Sequence, residues 1–324
     1  MSLPANLKNR LRLPLIAAPM FLVSGPALVT AACRAGVIGS FPTANCRTVD
    51  ELDQWLAGMT EDLKRAADES GRAPAPVCPN LIVHRSNPRV PDDLAAVLRH
   101  KAEIVITSVG SPEPVMKPLK DAGCLVLADV ASVRHAEKAV AAGVDGLVLL
   151  TAGAGGQTGW VNPFAFVRAV RRFWDGIVVM AGGMADGHAI AAAAALGCDL
   201  AYMGTKFIAT RESLAKDAYK QMLVDSRLDD VLLTRAFTGL ETNMLRPSIA
   251  AAGLDPDNLP ARGAIDISKD INASARDKPD PKRWKDIWSA GHSVSGVSDV
   301  PSVADLIERT AMEYDAAVRS MQRV

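Results

Sequence analysis

The sequence carries no excess charge of either sign, 36 Lys and Arg against 36 Asp and Glu. Gripping a phosphate backbone needs a basic surface, so this balance argues against a nucleic acid or another polyanion as partner. The first ten residues, Met1-Ser-Leu-Pro-Ala-Asn-Leu-Lys-Asn-Arg10, contain no apolar core of the kind a signal peptide carries. No apolar run is long enough to span a bilayer; the longest, around Ala189 to Ala195, is alanine-rich and short. The five cysteines are odd in number and scattered without a CxxC pair, which excludes a disulfide or zinc framework and points to small core residues in a reducing compartment. Five histidines without HExxH spacing give no metal site. These absences predict a cytoplasmic protein, without membrane or metal.

What is present is a chain of 324 residues, 49% hydrophobic, enough for one large core or two ordinary ones. Two stretches organise it. Gly176-Ile-Val-Val-Met-Ala-Gly-Gly-Met-Ala-Asp-Gly-His188 and Asp199-Leu-Ala-Tyr-Met-Gly-Thr-Lys206 are each a short apolar run that ends in glycine and leads into a helical pattern. Such runs read as buried parallel strands. Gly182, Gly183, Gly204 and Thr205 then sit where strand gives way to helix. Bare backbone N–H groups and the helix dipole favour an anion there. Two such turns on consecutive units suggest one phosphate held between them, as after strands seven and eight of a (β/α)8 barrel.

The rest of the chain supplies the earlier units. Strands are expected at 14–20, 36–40, 76–83, 103–108, 124–129 and 145–151. Helices follow Ser24 (as N-cap), Thr48, Pro91, Ser111, Ser132 and Asn162, and one after Arg211 completes the eighth unit. The runs Ala141-Ala-Gly-Val-Asp-Gly-Leu-Val148 and Ala195-Leu-Gly-Cys-Asp-Leu-Ala-Tyr202 repeat one another as helix end, glycine turn and strand. This alternation predicts an α/β fold, a closed TIM barrel over 1–225. From Ser226 the pattern breaks into charged, proline-containing loops such as Asp277-Lys-Pro-Asp-Pro-Lys-Arg283. Residues 226–290 read as an excursion over the barrel mouth that covers substrate. Residues 291–324 read as a helical segment returning to the barrel.

Taken in order, Pro14-Leu-Ile-Ala-Ala-Pro-Met20, Asn80, Gly153-Ala-Gly-Gly-Gln-Thr-Gly159, Ala181-Gly-Gly-Met-Ala-Asp-Gly187, Met203-Gly-Thr-Lys-Phe207 and Trp288-Ser-Ala-Gly-His292 resemble the nitronate monooxygenase family, once called 2-nitropropane dioxygenases. That family also takes in NAD(P)H:quinone reductases and flavin-type enoyl reductases. The resemblance spans nearly the whole chain and implies one non-covalent FMN at the C-terminal mouth. It assigns the FMN phosphate to Gly182, Gly183, Gly204 and Thr205. Pro19, Met20 and Phe21 would lie against the ring, Asn80 would bond its pyrimidine edge, and Gly155 and Gly156 would let the chain approach closely. Plain turn glycines and a core methionine are the alternatives at these positions. The substrate implied is a small molecule, a nitronate, quinone or enoyl compound, with NAD(P)H as a candidate reductant. A homodimer stays open.

Two positions depart from the family pattern. Gln157 stands where the family carries a histidine, the proposed base of nitronate oxidation. Asp129 stands where some quinone-reducing members carry lysine, and could bond the ring or a substrate. His292 is the remaining candidate for proton work, with a solvent-facing histidine as its alternative. Arg246 falls in an apolar loop, Phe237 to Pro247, suited to a lid or to ordinary packing. IMP dehydrogenase relatives share the twin glycines but need a cysteine in the loop that here holds Gln157. A sugar-phosphate aldolase or isomerase without redox chemistry is the rival from another class.

Overall fold

The computed structural model describes residues 3–260 and 285–322. Eight parallel strands close into a barrel: β1 (Leu15–Ala17), β2 (Ile38–Pro42), β3 (Val77–Ile82), β4 (Ile104–Ser108), β5 (Leu125–Val130), β6 (Gly146–Leu150), β8 (Ile177–Ala181) and β9 (Leu200–Met203). β9 pairs back with β1 through Ile16 and Tyr202. The strands read as largely apolar runs because both of their faces are buried, with polar residues towards their C-terminal ends. In β4, Ile104 and Ile106 enter the barrel interior while Val105 joins the layer under the helices; in β6, Val148 points in while Leu147 and Leu149 point out. α1 (Ala5–Lys8) adds Leu7 to the interior cluster. The barrel is therefore filled, and any large cavity must lie at the other end.

The same period-two parity decides which polar residues reach that end. Cys78, Leu127 and Leu200 face inward. Asn80, Asp129 and Tyr202, two positions further along β3, β5 and β9, therefore face inward at the C-terminal strand ends.

The outer helices are α2 (Pro26–Arg34), α3 (Val49–Ser70), α4 (Val90–Arg99), α5 (Glu113–Asp121), α6 (Val133–Ala141), α7 (Pro163–Val170) and α8 (Gly187–Leu196). Thr48, Ser132, Asn162 and Asp186 each accept a backbone N–H at the start of their helix. Each such cap is worth about 1 kcal/mol. Ser24 does not cap α2; Gly25 holds that place. The Ser24 hydroxyl instead accepts from Met20 N (3.0 Å), tying down the turn after β1.

The eighth outer helix is not the one expected after Arg211. α9 (Thr205–Ile208) is one short turn, and α10 (Asp217–Asp225) packs at the mouth with Ile208, Leu245 and Val294. The C-terminal helix, Val303–Met321, closes the ring between α8 and α2. Its Val303, Leu306, Ile307 and Ala311 share a core with Leu28 and Ala32 of α2 and with Ile190 and Ala193 of α8. Gly187 permits this approach, since a Cβ there would lie 2.1 Å from Tyr314 N. Chain order pointed to the wrong helix; the tighter apolar seam belongs to the later one.

Within residues 226–260 the expected excursion is more ordered than a loop. β10 (Val231–Thr234) and β11 (Thr242–Leu245) form an antiparallel pair, and β11 pairs in turn with β7 (Gly156–Gln157). α11 (Arg246–Ala251) follows, with Arg246 in an ion pair to Asp257 (2.7 Å). Arg246 thus serves the surface of this segment. The expected charged run at 277–283 lies outside the described residues.

Candidate active site

A cavity opens at the C-terminal end of the barrel, built from the strand ends of β3 and β5 and the loops after β1, β4, β6, β8 and β9, with Tyr219, Thr238, Leu240 and Trp288 completing its wall. Its wall brings together Pro19, Met20, Phe21, Asn80, Asp129, Gly155, Gly156, Gln157, Gly182, Gly183, Gly204 and Thr205. His292 is not among the lining residues. Its side chain is exposed, and its ring packs over Gly153, where a Cβ would lie 2.7 Å from Nδ1. The structure places this histidine behind the glycine loop and outside the cavity wall. Lys206 is likewise engaged elsewhere, donating to the Gly296 carbonyl.

The loop after β1 is pinned from behind. Asn45 accepts from Leu22 N (2.9 Å) and donates to the carbonyls of Met20 (3.1 Å) and Ser24 (2.8 Å). Leu22 adopts a φ of 61°, so the chain turns back sharply and leaves Pro19 to Phe21 at the cavity.

The glycine turns differ from the sequence expectation in one respect. α8 begins only at Gly187, and its first N–H groups are taken by carboxylates: Glu313 accepts from Gly187 N (2.9 Å) and Asp186 from Ala189 N (2.9 Å). An anion at Gly182 and Gly183 would be held by the turn itself and not by the α8 terminus. Gly182 has φ 109° and Gly183 φ 72°, which favour glycine. A Cβ on Gly182 would strike Thr151 Oγ1 at 2.5 Å, whereas a Cβ on Gly183 would meet nothing within 4 Å. Across the cradle, Thr205 starts α9, so its own N–H has no partner within that helix. The Thr205 hydroxyl accepts from Gly291 N (2.9 Å), which leaves its proton to donate.

The loop carrying Gln157 is clamped by the excursion. Gln157 pairs with Thr242 and Gly156 with Asn243 across β7 and β11. Buried Asn243 donates to Ala154 O (2.8 Å), and Thr158 N donates to Glu241 O (3.0 Å). Gly155 lets residues 290–291 pass against it, since a Cβ would lie 2.7 Å from Gly291 N. Asn80 donates to Ile106 O (3.2 Å) and Ser108 Oγ (3.0 Å), and its Oδ1 accepts from the same hydroxyl (3.3 Å), so one acceptor position of Oδ1 is left for a ligand.

On the cavity floor stand Asp129 and Tyr202. Among the described residues, Asp129 Oδ1 and Tyr202 Oη are buried without a hydrogen-bond partner. Burial pushes the Asp129 carboxyl up from 3.8 to about 7, and holds the Tyr202 hydroxyl well above its usual range. Tyr202 escaped sequence reasoning, although its parity with Leu200 was readable. Burial also pushes the thiols of Cys33, Cys46, Cys124 and Cys198 to about 12, which makes them inert packing groups. Among the described residues no cluster of His, Cys, Asp or Glu could hold a metal ion, and no helix is long and apolar enough to cross a membrane.

Residues 73–313 match the nitronate monooxygenase family. The chain belongs to that family. It is 28% identical to a nitronate monooxygenase of Paraburkholderia phytofirmans, over 96% of this chain and 94% of the relative. The structure of a nitroalkane oxidase from Streptomyces ansochromogenes is 26% identical with a TM-score of 0.71, covering 98% of this chain and 100% of that one. FabK from Thermotoga maritima is 23% identical with a TM-score of 0.79, covering 99% of both chains, and shares the fold. The protein is an oxidoreductase of this family, acting on a small molecule. Family membership displaces the aldolase or isomerase reading. It makes a flavin the cofactor class against which the cavity is judged. The open cradle at Gly183 and the two unpartnered polar atoms on the floor fit a phosphate-bearing ring with acceptor atoms along its edge.

Proposed function

We propose that the protein is an FMN-dependent oxidoreductase of the nitronate monooxygenase type, which oxidises alkyl nitronates with oxygen. The observation that carries this reading is Gln157 on the cavity wall, held by its register with Thr242. An amide donates and accepts hydrogen bonds but takes no proton near neutral pH. A nitroalkane must lose a carbon-bound proton before oxidation, and general-base help is typically worth about 10²–10⁴ in rate. A nitronate has already lost that proton. Its negatively charged oxygens need a donor, and the Gln157 amide supplies one.

FMN, when bound, supplies the electron transfer and the reactivity with oxygen. The chain's own part is binding, orientation and exclusion of water. Gly182, Gly183, Gly204 and Thr205 hold the phosphate through turn N–H groups and one hydroxyl. Pro19, Met20 and Phe21 give the ring an apolar surface, and Gly155 and Gly156 keep the backbone low beside it. Asn80 Oδ1 accepts from the ring's N–H. Leu240, Tyr219 and Trp288 shield the substrate from solvent.

A second reading, an NAD(P)H-dependent reductase acting on a quinone or enoyl compound, draws on one observation. The rings of Tyr219 and Trp288 stack at 4.9 Å with an interplanar angle of 13°, and both line the cavity. Such a flat aromatic wall suits a nicotinamide or quinone ring. Anaerobic rapid mixing separates the two. Flavin bleaching by propyl-2-nitronate and not by NADH or NADPH supports the monooxygenase; bleaching by a nicotinamide alone would replace it with the reductase.

A further inference from the structure

The floor of the cavity holds a carboxyl group with nothing among the described residues to answer its charge. Asp129 projects inward from β5, and part of its surface lines the cavity while Oδ1 is sealed from solvent and unpartnered. The groups facing it are Tyr202 from β9 and the Cys78 thiol from β3. Burial keeps both of these neutral, and no cation among the described residues stands close enough to hold a carboxylate ionised. Tyr202 Oη is unpartnered as well, although the two side chains share one floor. A buried polar atom left unsatisfied is costly, and far more so when charged; a carboxyl sealed on one oxygen and open to the cavity on the other points to a neutral acid that a ligand completes.

An ionised Asp129 could only accept hydrogen bonds, whereas a neutral one can donate. The flavin ring edge carries carbonyl oxygens and imine nitrogens, acceptors all, beside a single N–H. We propose that Asp129 stands in the resting site as a neutral carboxylic acid and that the hydroxyl on its cavity-facing oxygen donates to an acceptor atom of the flavin ring. This rests on the flavin reading above. Rising pH would then remove one donor and place a negative charge beneath the ring, so cofactor affinity falls as Asp129 ionises. Asn at position 129 keeps a donor N–H and cannot ionise.

The test measures FMN dissociation constants for the apo-protein and for Asp129→Asn and Tyr202→Phe from about pH 5 to about pH 9, across the expected titration. The wild type should lose affinity through about pH 7, by on the order of tenfold to a hundredfold, while Asp129→Asn does not. The phosphate's own second ionisation, near pH 6, is common to all three and cancels in the comparison. Tyr202→Phe should keep the wild-type pH dependence. A wild-type profile that parallels Asp129→Asn would overturn the proposal.

Infrared spectra of the apo-protein with carbon-labelled aspartate give a second readout that needs no FMN, the difference between wild type and Asp129→Asn assigning the band because burial also raises the Asp93 carboxyl. A label-shifted band of a protonated carboxyl near neutral pH is expected, and its absence sinks the neutral acid. If FMN binds to none of the proteins but that band is present, the flavin reading fails while the neutral Asp129 stands.

Discussion

Gly182 and Gly183 are neighbours with opposite surroundings, and the contrast makes a sharp test of the phosphate cradle. Both lie at positive φ, so an alanine at either pays a left-handed backbone cost of roughly 1–2 kcal/mol. At Gly183 that is the whole cost to the empty protein, because no atom lies within 4 Å of the new Cβ. For a domain of this size it lowers the Tm by only a few degrees. At Gly182 the Cβ would lie 2.5 Å from Thr151 Oγ1 and 3.0 Å from Ala154 N. The Thr151 hydroxyl is itself bonded to Ala181 O (2.6 Å) in a buried position. Relieving that clash adds overpacking strain of about 1–3 kcal/mol.

Gly183→Ala should therefore fold nearly as well as wild type yet bind FMN on the order of tenfold to a hundredfold more weakly, as one or two hydrogen bonds to a charged phosphate are lost. Riboflavin, which has no phosphate, is the control. Fluorescence titration of both ligands against both variants, beside thermal melts of the apo-proteins, separates the effects. Equal weakening of riboflavin and FMN by Gly183→Ala would refute the cradle, as would unchanged FMN affinity.

Gln157→His should raise turnover of neutral nitroalkanes by up to about 10²–10⁴ while leaving turnover of preformed nitronates nearly unchanged, read by oxygen consumption on the two substrate forms at matched pH. Asn243→Ala leaves the buried Ala154 carbonyl without its donor and should cost about 1–3 kcal/mol in thermal melts, and steady-state kinetics should show a raised KM because the Gln157 loop loosens. For the apo-protein, the raised Asp129 carboxyl favours the folded state in its protonated form. Its contribution is complete below about pH 3.8 and is lost as pH rises to about 7. A carboxyl moved from 3.8 to about 7 is worth at most ~4 kcal/mol, reduced by water in the cavity. Melts of wild type should therefore decline across that window relative to Asp129→Asn.

The barrel was legible because its strands are buried on both faces and its turns are punctuated by glycine. Parity along β3, β5 and β9 already carried Asn80, Asp129 and Tyr202 to the mouth, and the tyrosine was overlooked because it sits inside an apolar run. Three features were not readable from local pattern. The eighth outer helix comes from the far end of the chain, because Gly187 and the alanines of α8 admit a backbone that arrives late. The free Gly182–Gly183 turn is separated from its helix by Asp186 and Glu313, one of them distant in sequence. His292 looked available for proton transfer, yet the positive φ of Gly153 opens the space that its ring fills from outside. Each depends on a contact between segments far apart in the chain.

The central claim is that this cavity holds a flavin which a nitronate reduces. Its most direct test is the visible spectrum of the purified protein, recorded before and after anaerobic addition of propyl-2-nitronate. Flavin absorption that bleaches with nitronate and returns with air is the predicted result. A colourless protein that cannot be reconstituted with FMN, or a flavin that nitronate leaves oxidised, would contradict it.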